Sequence, residues 1–377
     1  MFRLKALIQE TKLKGGLETR VIDAEPTLNV LLPSFSRFRF TGGPNTILGL
    51  TGRLAARGTP VRYVCLTDPP PDDLGYFWAH LVNLIGSVPR CVSVSHGTPG
   101  GEPVSVGPND VWMATWWPSA YVAASRGKPF IYFIQDAEAE FIDDPVTRAR
   151  AAATLNFDYR AIINQQVVAD HLGISGAVFE PAVDHELFHP EPKLTRLVFY
   201  ARPNRPRNLY AIGLKALKLA AERGMLDGWD VLSVGAKVND IELTPTVTMT
   251  NIPWQPLGRY ASMLRQTDVA LSLQLSPHTS YPPLEMSACG GVAITNAYGA
   301  KTANRIMEYA PRSIVVNPTV LGVLDGIERA VAGERRDQPT RGCTHGSWNE
   351  AFAGVLPKVE DMFKELSRTP VASGGRM

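Results

Sequence analysis

Residues Val269–Glu285 read VALSLQLSPHTSYPPLE: a run of branched and alternating apolar residues that stops at a polar, proline-rich turn. A carboxylate, Glu285, then leads into another apolar segment, MSACGGVAITN. Strand, polar loop, helix and next strand is the way an open parallel sheet offers ligand-binding groups at the carboxyl ends of its strands. The same alternation occurs in both halves of the chain, which predicts an α/β protein of two doubly wound domains facing a deep interdomain cleft.

Outward from that stretch, the second half predicts strands in LVFYARP, VLSVGA, VTMTNIPW, ALSLQLS, GVAITN and SIVVNP, with a helix over Arg207–Arg223 closed by Gly224. The first half predicts strands at Leu28–Leu32, Val61–Leu66, Val111–Thr115, PFIYFIQ and RAIINQQ. Helices are expected near Thr46–Arg57, in DLGYFWAHLVNLI, over Trp116–Ser125 and over Asp144–Phe157. FEPAVDHELFHPEPK, rich in proline and mixed charge, suits a connection between domains. The expected division is 1–188 and 189–345, then a helix at 346–367 crossing back to the first domain and a flexible tail at 368–377.

A chain of 377 residues is long for one core and suits two domains. Its 45% hydrophobic and 20% charged content is that of a globular protein, and a net charge of +2 with no basic stripe gives no sign of nucleic-acid binding. The four cysteines are far apart and expected to be reduced thiols. There is no membrane-length apolar run, and MFRLKALIQE meets charge too early for a signal peptide, so a cytoplasmic protein is expected. FRLKALIQETKLKGG could form a basic amphipathic helix for peripheral membrane contact, or an ordinary helix packed on the first domain.

Candidate site residues gather at strand ends. Gly42-Gly43-Pro44-Asn45 is expected between a strand and a helix, either as a loop approaching an anion closely or as an ordinary tight turn. It matches neither GxGxxG nor GxxxxGK. Arg202 and Lys237 end successive strands, where they could neutralise a diphosphate or stand as solvated charges; Arg205 and Arg207 lie nearby. Glu285 could accept hydrogen bonds from a ribose diol, or favour its helix start electrostatically. His278, Thr279 and Ser280 form a polar rim before it. Asp136, with Glu138 and Glu140 after it, could hold an acceptor hydroxyl or cap a helix. Trp112, Trp116, Trp117 and Tyr121 could be core or a platform for a sugar ring. No DxD or HxH occurs, and no metal set is expected.

FYARPNRPRNLYAIGLKAL, LSLQLSPHTSYPPLEMSACGGVAITN and PFIYFIQDAEAEF resemble parts of the bacterial rhamnosyltransferases that extend surface and S-layer glycans, within the retaining GT-B glycosyltransferases. The resemblance runs from Thr27 to about Phe363. It implies a GT-B fold of two Rossmann-like domains, with the nucleotide-sugar held by the second and the acceptor presented by the first. It also implies that Arg202 and Lys237 bind the diphosphate, Glu285 grips the ribose, Gly42-Gly43 faces the phosphates and Asp136 serves the acceptor. The implied donor is dTDP-L-rhamnose and the implied acceptor an oligosaccharide or lipid-linked saccharide, with no cofactor required. The wider family often carries two glutamates separated by seven residues; the earlier position here is Pro277, so the loop backbone and His278 are left to meet the donor sugar. Competing readings are a GDP- or UDP-sugar transferase, a sugar-nucleotide epimerase and a non-catalytic nucleotide-sugar-binding module.

Overall fold

Runs of Val, Ile, Leu and Phe that are buried on both faces form the centres of two parallel sheets, because helical crossovers cover each side of such a sheet. The computed structural model describes residues 17–36, 42–67, 73–97 and 102–369. Its strands are β1 (Thr19–Val21), β2 (Leu28–Leu32), β3 (Val61–Cys65), β4 (Val92–His96), β5 (Val104–Val106), β6 (Val111–Ala114), β7 (Phe130–Ile134), β8 (Tyr159–Asn164) and β9 (Ala177–Phe179). They continue as β10 (Leu194–Tyr200), β11 (Asp230–Val234), β12 (Ile241–Thr244), β13 (Val247–Asn251), β14 (Thr267–Leu271), β15 (Val292–Asn296) and β16 (Ser313–Val316).

The first sheet has the order β4-β3-β2-β6-β7-β8-β9 and is parallel throughout. The second has the order β12-β13-β11-β10-β14-β15-β16, parallel except for the β12–β13 edge hairpin. In each, the order reverses beside the first strand, between β2 and β6 and between β10 and β14. Both are therefore doubly wound Rossmann-like sheets. β1 and β5 make a separate parallel pair.

The chain divides into two compact units. One holds the described parts of Met1–Asn164, Ser175–Phe179 and Phe352–Met377; the other holds Gln165–Ile174 and Glu180–Ala351. Within the first, Phe352 and helix Leu356–Arg368 pack on the rest of the unit. Phe352 is fully buried, with its ring 5.2 Å from that of Phe179 and the Arg53 guanidinium 5.7 Å from its centre. Glu360 pairs with Arg57, and Glu365 with Arg160 at 2.7 Å.

Several boundaries differ from the expectation. Helix Gly42–Ala56 starts four residues early, so GGPN is its first turn; Pro44 is tolerated there because that turn leaves its N–H groups unpaired. The helix after β10 spans Tyr210–Glu222, since Pro206–Asn208 makes a 3₁₀ turn and Leu209 has φ 50°. Strand β14 stops at Leu271 rather than running on to Ser276. The expected helix Trp348–Leu366 is two, Trp348–Ala353 and Leu356–Arg368. The basic segment 2–16 and most of the tail at 368–377 lie outside the described residues. Among the described residues no helix is long and apolar enough to cross a membrane.

Candidate functional site

Where the second sheet reverses, the carboxyl ends of β10 and β14 lie side by side, and flanking connections that leave to opposite faces create a crevice at such a point. Two segments border it, Ala201–Leu209 after β10 and Ser272–Ser280 after β14. The Leu275 N–H donates to the Arg207 carbonyl at 2.8 Å, and Asn208 Nδ2 donates to the Leu273 carbonyl at 3.3 Å. From β15, Asn296 Oδ1 accepts the Gln274 N–H at 2.8 Å and its Nδ2 donates to the Gln274 carbonyl at 3.1 Å. The buried Lys301 ammonium donates to that same carbonyl at 3.2 Å. Side-chain amides thus replace the ladder that SLQL would have made as a strand, while Leu273 stays in the core.

Arg202 lies two residues past Tyr200 and is half-buried; Lys237 lies three residues past Val234 and is exposed. Tyr200 and Val234 are register partners in the parallel pair β10–β11, so both cations leave the same edge from adjacent strands. The turn carrying Lys237 is held by Asn251. Its Nδ2 donates to the Ala236 carbonyl at 3.1 Å and to Ser233 Oγ at 2.9 Å, and its Oδ1 accepts the Val238 N–H at 3.1 Å. Gly235, at φ 103°, brings this turn close: a Cβ there would lie 3.3 Å from Arg202 Cγ. Among the described residues neither Arg202 nor Lys237 has an ion-pair partner. Trp254, 67% exposed, follows β13 on the next strand along the same edge.

On the other side of Arg202, His278 is buried and its Nδ1 accepts the Ser280 N–H at 2.9 Å. That bond puts the ring hydrogen on Nε2, which is left as a donor. Burial, together with the positive charges of Lys301 and Arg207, pushes the imidazole down to about 3, so it stays neutral. Thr279 is buried and bonded twice to Gln165: its N–H donates to Oε1 at 2.8 Å and its hydroxyl accepts from Nε2. Ser280 has φ 65° and begins helix Tyr281–Ala288. Glu285 lies in the second turn of that helix. Its Oε2 accepts from the Tyr260 hydroxyl at 3.0 Å, and burial of the carboxyl end raises it to about 7, with the Tyr260 bond opposing. Among the described residues four non-glycine residues have positive φ, and three of them (Gln165, Leu209 and Ser280) flank this site; such strain gathers where function demands a fixed backbone.

Gly42, Gly43, Asp136, Trp116 and Trp117 follow strand ends at the carboxyl edge of the first sheet. Gly42 and Gly43 begin a helix without positive φ, so neither the loop nor the tight-turn expectation describes them. Gly43 lets the Gln135 side chain approach, which donates to the Gly43 carbonyl at 3.2 Å. Asp136, half-buried after β7, accepts the Ala137 N–H at 3.0 Å through Oδ1. Capping of the neighbouring helix Trp117–Ala124 falls to Glu138, whose Oε2 accepts the Trp117 N–H at 2.7 Å. Trp112 is core, with the Arg126 guanidinium 5.3 Å from its ring; Trp116 and Trp117 are half-buried at the edge. Among the described residues no cluster of three or more His, Cys, Asp or Glu has the arrangement of a metal site.

Gln165, Asn208, Asn251, Asn296 and Tyr260 escape the sequence reading, since each acts on a segment remote in the chain. The one local sign was an amide or phenol beside a strand end or on a helix facing one.

Residues 195–328 match the family model described as WsaF, C-terminal domain, a span holding Arg202, Lys237, His278 and Glu285. The chain is 34% identical over 234 residues to the O-antigen biosynthesis protein RfbC of Myxococcus xanthus, a match that covers 59% of this chain and 18% of that protein's length. Among solved structures, Anabaena Alr3699/HepE in complex with UDP-glucose superposes with a TM-score of 0.60 at 13% identity, covering 90% of this chain and 99% of that one. Sucrose-phosphate synthase from Thermosynechococcus elongatus gives 0.57 at 13% identity, with coverage of 91% and 99%. The chain therefore has the two-domain GT-B fold, and one relative is named for O-antigen biosynthesis.

Proposed function

We propose that this chain is a glycosyltransferase that moves a deoxyhexose, L-rhamnose from dTDP-L-rhamnose, to a hydroxyl of an oligosaccharide or lipid-linked saccharide in surface glycan synthesis. The observation that carries this reading is the row of groups on consecutive strand ends of the second sheet: Trp254, Lys237, Arg202, then the His278–Ser280 loop with Glu285 behind it. Three steps between neighbouring strands span about 14 Å, which suits an extended nucleotide-sugar with its base at Trp254 and its sugar at the loop. The relative named for O-antigen biosynthesis favours a surface-glycan role.

In this reading the bond from the anomeric carbon to the diphosphate breaks as the acceptor oxygen bonds to that carbon. Charge grows on the departing phosphate, where Arg202 and Lys237 stabilise it without a metal. The acceptor proton passes to the leaving phosphate, with attack from the same face retaining configuration. Asp136 orients the acceptor hydroxyl. His278 Nε2–H donates to the sugar in place of the carboxylate that Pro277 replaces, and Glu285 receives the ribose hydroxyls.

A donor screen of purified protein against dTDP-L-rhamnose, GDP-sugars and UDP-sugars, with short rhamnose-containing acceptors, tests the reading. Transfer from dTDP-L-rhamnose that persists in excess chelator is expected. Transfer from a UDP-sugar alone would replace the donor, and binding of nucleotide-sugars without any transfer would favour a binding module.

A further inference from the structure

We propose that Gln165 is a positioning residue for the donor sugar, acting through Thr279; the inference rests on the transferase reading above and assigns part of its sugar specificity to a residue that touches no ligand. Gln165 is fully buried, directly after β8, and opens the Gln165–Ile174 excursion that belongs to the second unit. Its backbone has φ 79° and ψ 135°, a conformation that non-glycine residues adopt only when surroundings enforce it. The enforcing contacts are those of its own amide, which bonds both the backbone N–H and the hydroxyl of Thr279, 114 positions along the chain.

The clamp sits in the middle of the loop that the sugar must meet. His278 precedes Thr279, and Ser280, at φ 65°, follows it. The Ser280 N–H is the group that holds His278 Nδ1 and so leaves Nε2–H as the donor. A Thr279 backbone displaced by even part of an ångström would release the Ser280–His278 bond and let the ring turn. Thr279 is itself 2% exposed, so without the Gln165 amide its N–H would be buried without this partner. Gln165 thus acts at one remove on the direction of the His278 donor. Arg202 and Lys237 leave other strands and do not depend on it, which separates its effect on the sugar from any effect on the diphosphate.

The test compares two affinities in one protein: dTDP-L-rhamnose and dTDP, titrated calorimetrically into wild type, Gln165→Leu and Gln165→Glu. Gln165→Leu removes both bonds at similar volume, and Gln165→Glu keeps two acceptor oxygens for the Thr279 N–H and hydroxyl. Gln165→Leu should weaken dTDP-L-rhamnose by about 10- to 100-fold, the loss expected for one buried polar contact, with dTDP changed by less than about threefold. Gln165→Glu should recover most of the loss, and Thr279→Val should show no further loss when combined with Gln165→Leu. Equal weakening of both ligands, or a lowered Tm with an unchanged affinity ratio, would mean a structural role and overturn the inference. If Gln165→Leu does not fold, the ratio in Thr279→Val decides by the same criterion. Wild-type protein that binds neither ligand would overturn the transferase reading itself, an outcome distinct from bound ligands and an unchanged ratio.

Discussion

At the carboxyl edge of the second sheet the residues past the strand ends include Arg202, Arg205, Arg207 and Lys237, with buried Lys301 behind them. At the same edge of the first sheet the described residues after β2, β3, β6 and β7 begin Pro33-Ser34, Leu66-Thr67, Thr115-Trp116 and Gln135-Asp136. Among those eight only Asp136 is charged. Both edges come from one winding order, so topology supplies the place and side chains decide what is held there. Cations suit a diphosphate; a carboxylate with half-buried tryptophans suits a neutral sugar. The amino edge of the first sheet differs again. There Asp110, 4% exposed, accepts from Asn29 at 2.9 Å and pairs with Arg62 at 3.3 Å, so its carboxylate is taken up within the fold.

Replacing the carboxylate of the first edge should have the largest effect. Asp136→Asn keeps an oxygen for the Ala137 N–H, so the fold and donor affinity should hold while transfer falls about 10²- to 10³-fold. Unchanged turnover in the folded variant would break the assignment of that edge to the acceptor. Lys237→Ala should weaken a nucleoside diphosphate by about 10- to 100-fold, the worth of a charge-assisted bond, with little change for the nucleoside. Equal losses by calorimetry would remove the diphosphate from the second edge.

Glu285 sharpens the contrast through pH. Burial raises its carboxyl from the ordinary 4.5 to about 7. A carboxyl raised in the folded state supports the fold fully below its unfolded value and loses that support as pH rises through the folded one. Between about pH 5 and pH 8, Glu285→Gln should therefore gain stability relative to wild type, by about 1–3 kcal/mol. Over the same window wild-type donor affinity should rise, because ribose hydroxyls donate to the carboxylate form. Parallel rather than opposite slopes, from thermal melts and titrations at each pH, would separate Glu285 from the ribose. The smallest effect belongs to Glu360→Ala. Losing its partly exposed pair with Arg57 should be nearly neutral for the fold and leave transfer untouched.

The long buried strands were legible because β-branched and aromatic runs bounded by turn residues have few other uses: β2 and β7 lie where LNVLL and FIYFI place them. The edge strands β4 and β12 were not, since VSVSH and IELT are short and only partly buried. SLQL read as strand because Leu273 is as buried as any strand residue; nothing local shows that Asn208 and Asn296 take over its hydrogen bonds. The charged candidates of the site were legible as residues at strand ends. Gln165 was not, because its partner and its positive φ exist only in the folded chain.

The division of the chain sets an order on its synthesis. One of the rings that Phe179 packs against belongs to Phe352, so the first unit awaits residues made after nearly the whole of the second. At ribosomal speed, that interval is about 10–35 s. Through it the surface meant for Phe352 and helix Leu356–Arg368 is open to water or to a chaperone, although β2 and β3 left the ribosome long before. The half made first is finished last.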